Sequence, residues 1–293
     1  MNTEADSKGI KLALFAYIWW GLAPIFWRQL SHVPAVDIVL ARMLTASPPL
    51  ILFLLLRGTL RDTLSLMKWD RTLLLVTAGG ILISMNWSIF MLAINSDNIK
   101  QASLGYYLSP LVNVLMGVLF FAERPRFAQW LAIIIAALGI FWVIWDYGRT
   151  PWYSLGLAFS WGIYSAVRKF ITLPAMAGNT IESIMMLPLA LLYMVFTGSQ
   201  TSFGQVDLLT DSYLSLAGIV TVIPLLAYVT AARLTSLTNL GLIFYVGPTL
   251  QLIVATFIFN EAISSAEWVA FTCIAIALII NSAESIQRRI KHR

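Results

Sequence analysis

Charged side chains are scarce in this chain. They make up 11% of its 293 residues, against about 25% in a soluble domain, too few to build a water-facing surface. There is a single cysteine, Cys273, inside an apolar run, so neither an intrachain disulfide nor a cysteine metal site can form. There are two histidines, His32 and His292. No H-E-x-x-H, aspartate-rich diphosphate motif, Walker sequence or G-x-S-x-G is present, which removes the usual zinc, prenyl-transfer, nucleotide and serine-hydrolase chemistries. The expectation is a protein that is not an enzyme, uses no cofactor or metal, and does not drive transport with ATP by itself.

What is present is apolar sequence. Hydrophobic residues make up 59% of the chain and the mean hydropathy is +0.81. A membrane crossing takes about 20 mainly apolar residues, and such runs recur from end to end. They predict ten transmembrane helices, at 9–29, 35–56, 70–95, 100–121, 127–146, 151–170, 178–197, 213–233, 237–259 and 266–286. The first run lacks a small-residue cleavage site and is read as a retained helix. The net charge of +5 is not a nucleic-acid footprint, because the basic residues sit in short connections, where they set topology beside anionic lipid. With the N-terminus inside, 15 of the 19 Lys and Arg fall in inner segments, 3 in outer ones, and Arg42 lies within a span. That bias predicts a multi-pass protein of a bacterial inner membrane with both termini cytoplasmic.

The chain also resembles itself. At an offset of 138, Tyr107 meets Tyr245, Pro110 meets Pro248, Phe121 meets Phe259, Glu123 meets Glu261 and Trp130 meets Trp268. Trp20-Gly21 meets Trp161-Gly162 at 141. The reading is an all-α integral membrane protein of two five-helix repeats, 1–147 and 148–293. Five is odd, so the second repeat enters the membrane in the opposite sense. Inverted repeats of this kind characterise secondary transporters, whose site lies near the midplane where the halves meet.

Several motifs resemble the RarD family, in the EamA group of the drug/metabolite transporter superfamily. They are Asn86-Trp87, Ala102-Ser103-Leu104-Gly105-Tyr106, Pro110-Leu111-Val112-Asn113, Glu123-Arg124, Gln129-Trp130 and Gly247-Pro248-Thr249-Leu250. One departure is Asn260, where the family pattern has glycine ahead of Glu261. The resemblance implies a ten-helix fold of two inverted repeats and a permease or exporter of a small organic metabolite or drug, working by alternating access. Its partners are then the solute and membrane lipid, and a monomer suffices. A channel, a lipid or lipid-linked flippase, and a non-transporting scaffold are the alternatives.

Candidate site residues follow from polarity at depth. Arg42 is costly inside a membrane unless it meets water, a partner or headgroups. One reading makes it a cavity cation for a carboxylate or other anionic group; the other pairs it with Asp37 or a helix carbonyl, or lets it snorkel. Tyr106, Pro110 and Asn113 share a helix face, repeated by Tyr245, Pro248 and Gln251. The prolines Pro110 and Pro248 are expected to bend their helices, and Asn113 and Gln251 to line a site shared by both halves. Trp87, Trp161 and Tyr164 are candidates for an aromatic wall. Glu123 and Glu261 sit at helix ends, where each is expected to hold the free amides of the following helix, with proton coupling as the alternative. Asp37 and Glu182 are read as caps or as partners of Arg28 and Lys169.

Overall fold

The computed structural model describes residues 3–95, 99–148, 150–198, 202–260 and 265–291. Among these the chain is helical, with no strand. Long helices are α1 (Thr3–Trp27), α2 (Ala35–Leu56), α4 (Arg71–Asn95), α5 (Ile99–Phe121), α6 (Phe127–Tyr147), α7 (Trp152–Phe170), α8 (Ala175–Thr197), α9 (Leu208–Leu234) and α12 (Ser265–Lys291). The short α3 (Leu60–Ser65) follows α2. Between α9 and α12 the chain forms α10 (Leu237–Phe244), α11 (Val246–Ile253) and a π turn (Val254–Ile258).

Among the described residues, eight segments are long and apolar enough to cross a membrane. The segment 237–258 counts as one of them despite its break at Tyr245. Of the ten expected spans, α7 and α12 fall short. The packed face of α7 carries Ser154, Ser160, Ser165 and Arg168, which lowers its hydropathy, and the apolar part of α12 is only Trp268–Ile280. The outer surface is apolar where a soluble protein would be charged. Trp69, Phe127 and Phe196 are each more than 80% exposed, as expected of side chains that face lipid.

Helix boundaries have local causes. Both α2 and α8 begin directly after a proline in the extended region, Pro34 (φ −53°, ψ 131°) and Pro174 (φ −51°, ψ 142°); proline fixes φ, and having no N–H it leaves no donor unpaired at a helix start. The start of α9, five residues earlier than expected, is set by Asp207, whose Oδ1 accepts from Thr210 N at 2.6 Å. This hydrogen bond, ahead of smaller contributions, lowers the Asp207 pKa from its ordinary value. Pro110 lies within an unbroken α5, whereas Pro248 sits in the first turn of α11, just past the break at Tyr245, where its missing N–H disrupts no helical bond.

At the centre α5 packs on α7, α4 on α7 and α8, α1 on α9 and α11, α2 on α8 and α9, and α10 on α5. Glycines allow the closest crossings. A Cβ on Gly21 of α1 would lie 2.6 Å from Leu250 Cβ, and one on Gly241 of α10 would lie 2.6 Å from the Pro110 carbonyl oxygen. To one side α6 packs on α12. Ala132, Ala136, Ala266 and Ala270 are buried there, and a Cβ on Gly139 would lie 2.7 Å from Cys273 Cβ, a small-residue contact suited to a lipid environment.

Candidate functional site

A cavity of about 530 Å³ lies between α1, α2, α4, α5, α7, α9 and the broken segment α10–α11. Its volume is in the range of small-molecule sites, roughly 300–1,000 Å³. The walls are mainly aromatic. Trp20 and Trp161 meet edge-to-face at 5.5 Å and line the cavity with Tyr17 and Phe244, whose centroids lie 5.0 Å apart, while Tyr228 packs behind Trp161 at 5.1 Å. Phe90 and Tyr106 stand together at 5.9 Å on another wall.

Arg42 enters this aromatic chamber from α2. Its Nε donates to Thr221 Oγ1 at 2.9 Å, and its guanidinium lies 4.3 Å from the Trp87 ring centroid and 5.2 Å from that of Trp27. Among the described residues no carboxylate comes within ion-pair distance of it. Asp37 is instead bound by the Ser202 hydroxyl at 2.5 Å. Gln251 also lines the cavity, and its Nε2 donates to the Trp20 carbonyl at 3.2 Å.

Of the sequence candidates, Arg42, Trp87, Tyr106, Trp161, Pro248 and Gln251 therefore come together around one space. Asn113, Tyr164, Tyr245 and Pro110 do not line it. Asn113 is fully buried against α10, facing Gly241. Tyr164, also fully buried, donates to Glu182 Oε1 at 3.1 Å. Tyr245 belongs to a separate cluster with Leu104, Phe271 and Ile274. The repeat-equivalent pair thus splits: Gln251 reaches the cavity and Asn113 does not.

Comparison with known proteins identifies this architecture. The model of the EamA-like transporter family matches residues 7–145 and again 150–283. The chain belongs to the EamA-like transporter family. It is 34% identical over 293 residues to Protein RarD of Escherichia coli, covering 99% of each chain, and 36% identical to that of Salmonella typhimurium, covering 99% of this chain and all of that one. It is 36% identical over 283 residues to an uncharacterized transporter, YojE, of Bacillus subtilis, covering 96% of this chain and 95% of that one. A solved crystal structure, 19% identical, has the same fold, with a TM-score of 0.73 over 94% of this chain and 96% of that one. The protein is a multi-pass bacterial membrane transporter of the RarD and EamA type, working on a small solute.

In this EamA chain two further polar groupings lie outside the cavity. Arg168 and Glu182 form a buried ion pair, with side chains 1% and 4% exposed, extended by Asn179 Oδ1, which accepts from Arg168 Nη2 at 2.6 Å. Glu182, expected from the sequence to be a cap or a partner of Lys169, is thus the partner of Arg168. Lys169 in fact pairs with Glu123 at 3.1 Å, and Arg28 stacks on Phe259 at 4.0 Å.

Contrary to expectation, Glu123 does not hold the free amides of the following helix, α6. Its carboxylate turns to α10, accepting from Leu237 N at 2.8 Å, Thr238 N at 2.9 Å and Thr238 Oγ1 at 2.8 Å. Gly117 makes room: a Cβ there would lie 2.5 Å from Glu123 Oε2. Lys169 Nζ also donates to the Thr235 carbonyl at 2.8 Å. Beside this knot, Gln129 Nε2 donates to Asn239 Oδ1 at 2.9 Å. Glu261 lies outside the described residues. The sequence reading missed Asn86, Ser109 and Thr221 as cavity-lining polar groups. Asn86 was visible only as a motif residue, and nothing local distinguishes Thr221 from the other hydroxyls of α9.

Proposed function

We propose that this chain is a secondary-active permease that carries a small organic solute by alternating access between two inverted five-helix halves, 1–147 and 148–293. One observation carries the reading: the cavity is walled by helices of both halves, and its lining on α5 and α10 stops short of the end where Glu123 binds the start of α10. A pore would need a path through both ends. A rocking carrier needs a solute space that is closed on one side at a time.

Reciprocal packing supports the inverted duplication. α1 meets α11 as α7 meets α5, α1 meets α9 as α7 meets α4, and α2 meets α9 as α8 meets α4. Repeat mates also behave alike. Arg28 lies 4.0 Å from the Phe259 ring, and Lys169 lies 5.2 Å from Phe121. The double match of the family model, 7–145 and 150–283, fits the same division.

In this reading both termini are cytoplasmic. The cavity is lined by residues of α1 from Tyr17 to Trp27, with Arg28 just beyond, and not by the earlier turns, so it faces outward. Single cysteines in a Cys273→Ser background test the topology: an impermeant thiol reagent should label position 205 and spare position 65 in intact cells, and labelling at 65 would overturn it. Counterflow in proteoliposomes tests the carrier. Uptake that saturates with a ligand found by thermal-shift screening is the expected result. Non-saturating flux points to a pore, scrambling of labelled lipid to a flippase, and no flux at all to a scaffold.

A further inference from the structure

The charged group that enters the cavity, the Arg42 guanidinium, and the buried Trp161 Nε1 beside it offer donors without an acceptor among the described residues, and this restricts the ligand. Arg42 uses Nε on Thr221, which leaves both Nη groups of the guanidinium without a protein acceptor among the described residues. Trp161 Nε1 is buried with no acceptor, on the same cavity. The amide nitrogens of Asn86 and Gln251 are already engaged, by Leu157 O and Ser160 Oγ and by Trp20 O. Among the described lining residues the charged ones are Arg42 and Arg28, and no carboxylate faces the space.

A paired Nη edge presents two parallel N–H vectors, the geometry of a two-oxygen anion. The Trp87 and Trp27 faces are occupied by the Arg42 guanidinium. That arrangement holds the fork rigid and blocks those two faces from receiving a ligand cation. Around the fork the surface is aromatic, suited to a flat apolar body. Nothing described in the wall offers an acceptor charge to an ammonium group.

Resting on the permease reading, we infer that the solute is an aromatic or similarly flat organic monoanion. Its carboxylate, or a sulfonate or phosphonate in its place, docks on the two Nη groups of Arg42, and its ring lies among Trp20, Trp161 and Tyr106. A zwitterion or an amine of the same skeleton is disfavoured, because its ammonium would meet the Arg42 charge with no carboxylate in the described wall to offset it.

The test uses four probes of one skeleton: 3-phenylpropanoate, 3-phenylpropanamide, phenylalanine and 3-phenylpropylamine. Binding to the purified full chain in nanodiscs is followed by tryptophan fluorescence and calorimetry. The acid should bind roughly tenfold to a hundredfold more tightly than the amide, the scale of charge-assisted hydrogen bonds, and more tightly than the amino acid and the amine. Arg42→Gln should erase the acid-over-amide preference while leaving amide binding in place, which also reports that the variant is folded. Arg42→Lys should keep part of it, and Arg28→Gln most of it. Equal binding of acid and amide, tighter binding of the amino acid or the amine, a preference that survives Arg42→Gln, or no binding of any of the four at millimolar concentration would each overturn the inference. The permease reading fails separately. An acid that binds but is not exchanged in counterflow defeats transport alone, and saturable exchange of an amine defeats the anion assignment alone.

Discussion

Ala122 and Asn260, both just past a helix end, adopt left-handed backbone, with φ of 49° and 55°. They are repeat mates, each followed by the glutamate of its half. Asparagine tolerates this region and alanine does not, at a cost of roughly 1–2 kcal/mol. Ala122→Gly should therefore raise stability by about 1 kcal/mol, less the entropy that glycine gains in the unfolded chain; thermal unfolding in detergent measures it, and a lowered midpoint would contradict the backbone reading. The buried Arg168–Glu182 pair predicts the reverse sign. Glu182→Ala strands a buried guanidinium and should cost about 3–5 kcal/mol. An Arg168→Met/Glu182→Met double variant should be far closer to the parent in unfolding temperature, and equal damage in both would mean that the pair is not the source. These residues also mark where sequence reading ends. Arg42 was conspicuous because it stands alone within an apolar run. Arg168 lies two residues from the end of α7, where loop and interior look identical, and its partner is set by how α8 folds back.

At the scale of elements, most boundaries were legible because they have local causes. The expected 35–56 is α2 to the residue. The start of α9 was misjudged because a polar stretch hid its cap. Asp207 has a lowered pKa in the folded chain, so its capping contribution is present above the ordinary aspartate pKa of about 3.9 and is lost as pH falls through the lower folded value. Asp207→Ala should lower the unfolding midpoint near neutral pH, by an amount that shrinks under strong acid. A pH-independent difference would assign the effect to something other than the charged cap. The stripe of Tyr106, Pro110 and Asn113 was legible as a face but not as a destination. The same spacing on an unbroken α5 and on a segment broken at Tyr245 sends equivalent side chains to different neighbours, so Gln251 reaches the cavity and Asn113 packs against Gly241.

For the whole molecule, the repeat and the family resemblance named the kind of protein, and the cavity could not be drawn from them, since its walls come from seven segments far apart in sequence. Nor could the sequence say how the two halves are tied together. The Glu123 carboxylate ties the end of α5 to the start of α10 and to Lys169 of α7. Glu123→Gln removes the charge from that knot and should favour its opening. A cysteine replacing Leu240, fully buried in α10, should then react with a small thiol reagent several-fold faster in a Cys273→Ser background. An unchanged rate would mean that Glu123 does not hold the start of α10 closed. In the permease reading, a one-sided fastening of this kind makes affinity depend on the face from which ligand is offered. Solute arriving at the open face meets the dominant conformer and binds with its intrinsic dissociation constant. Solute arriving at the fastened face binds only the fraction of molecules that have come undone, so with about 1% undone it shows a dissociation constant about a hundredfold weaker. One cavity thus has two apparent affinities, and loosening Glu123 should draw them together.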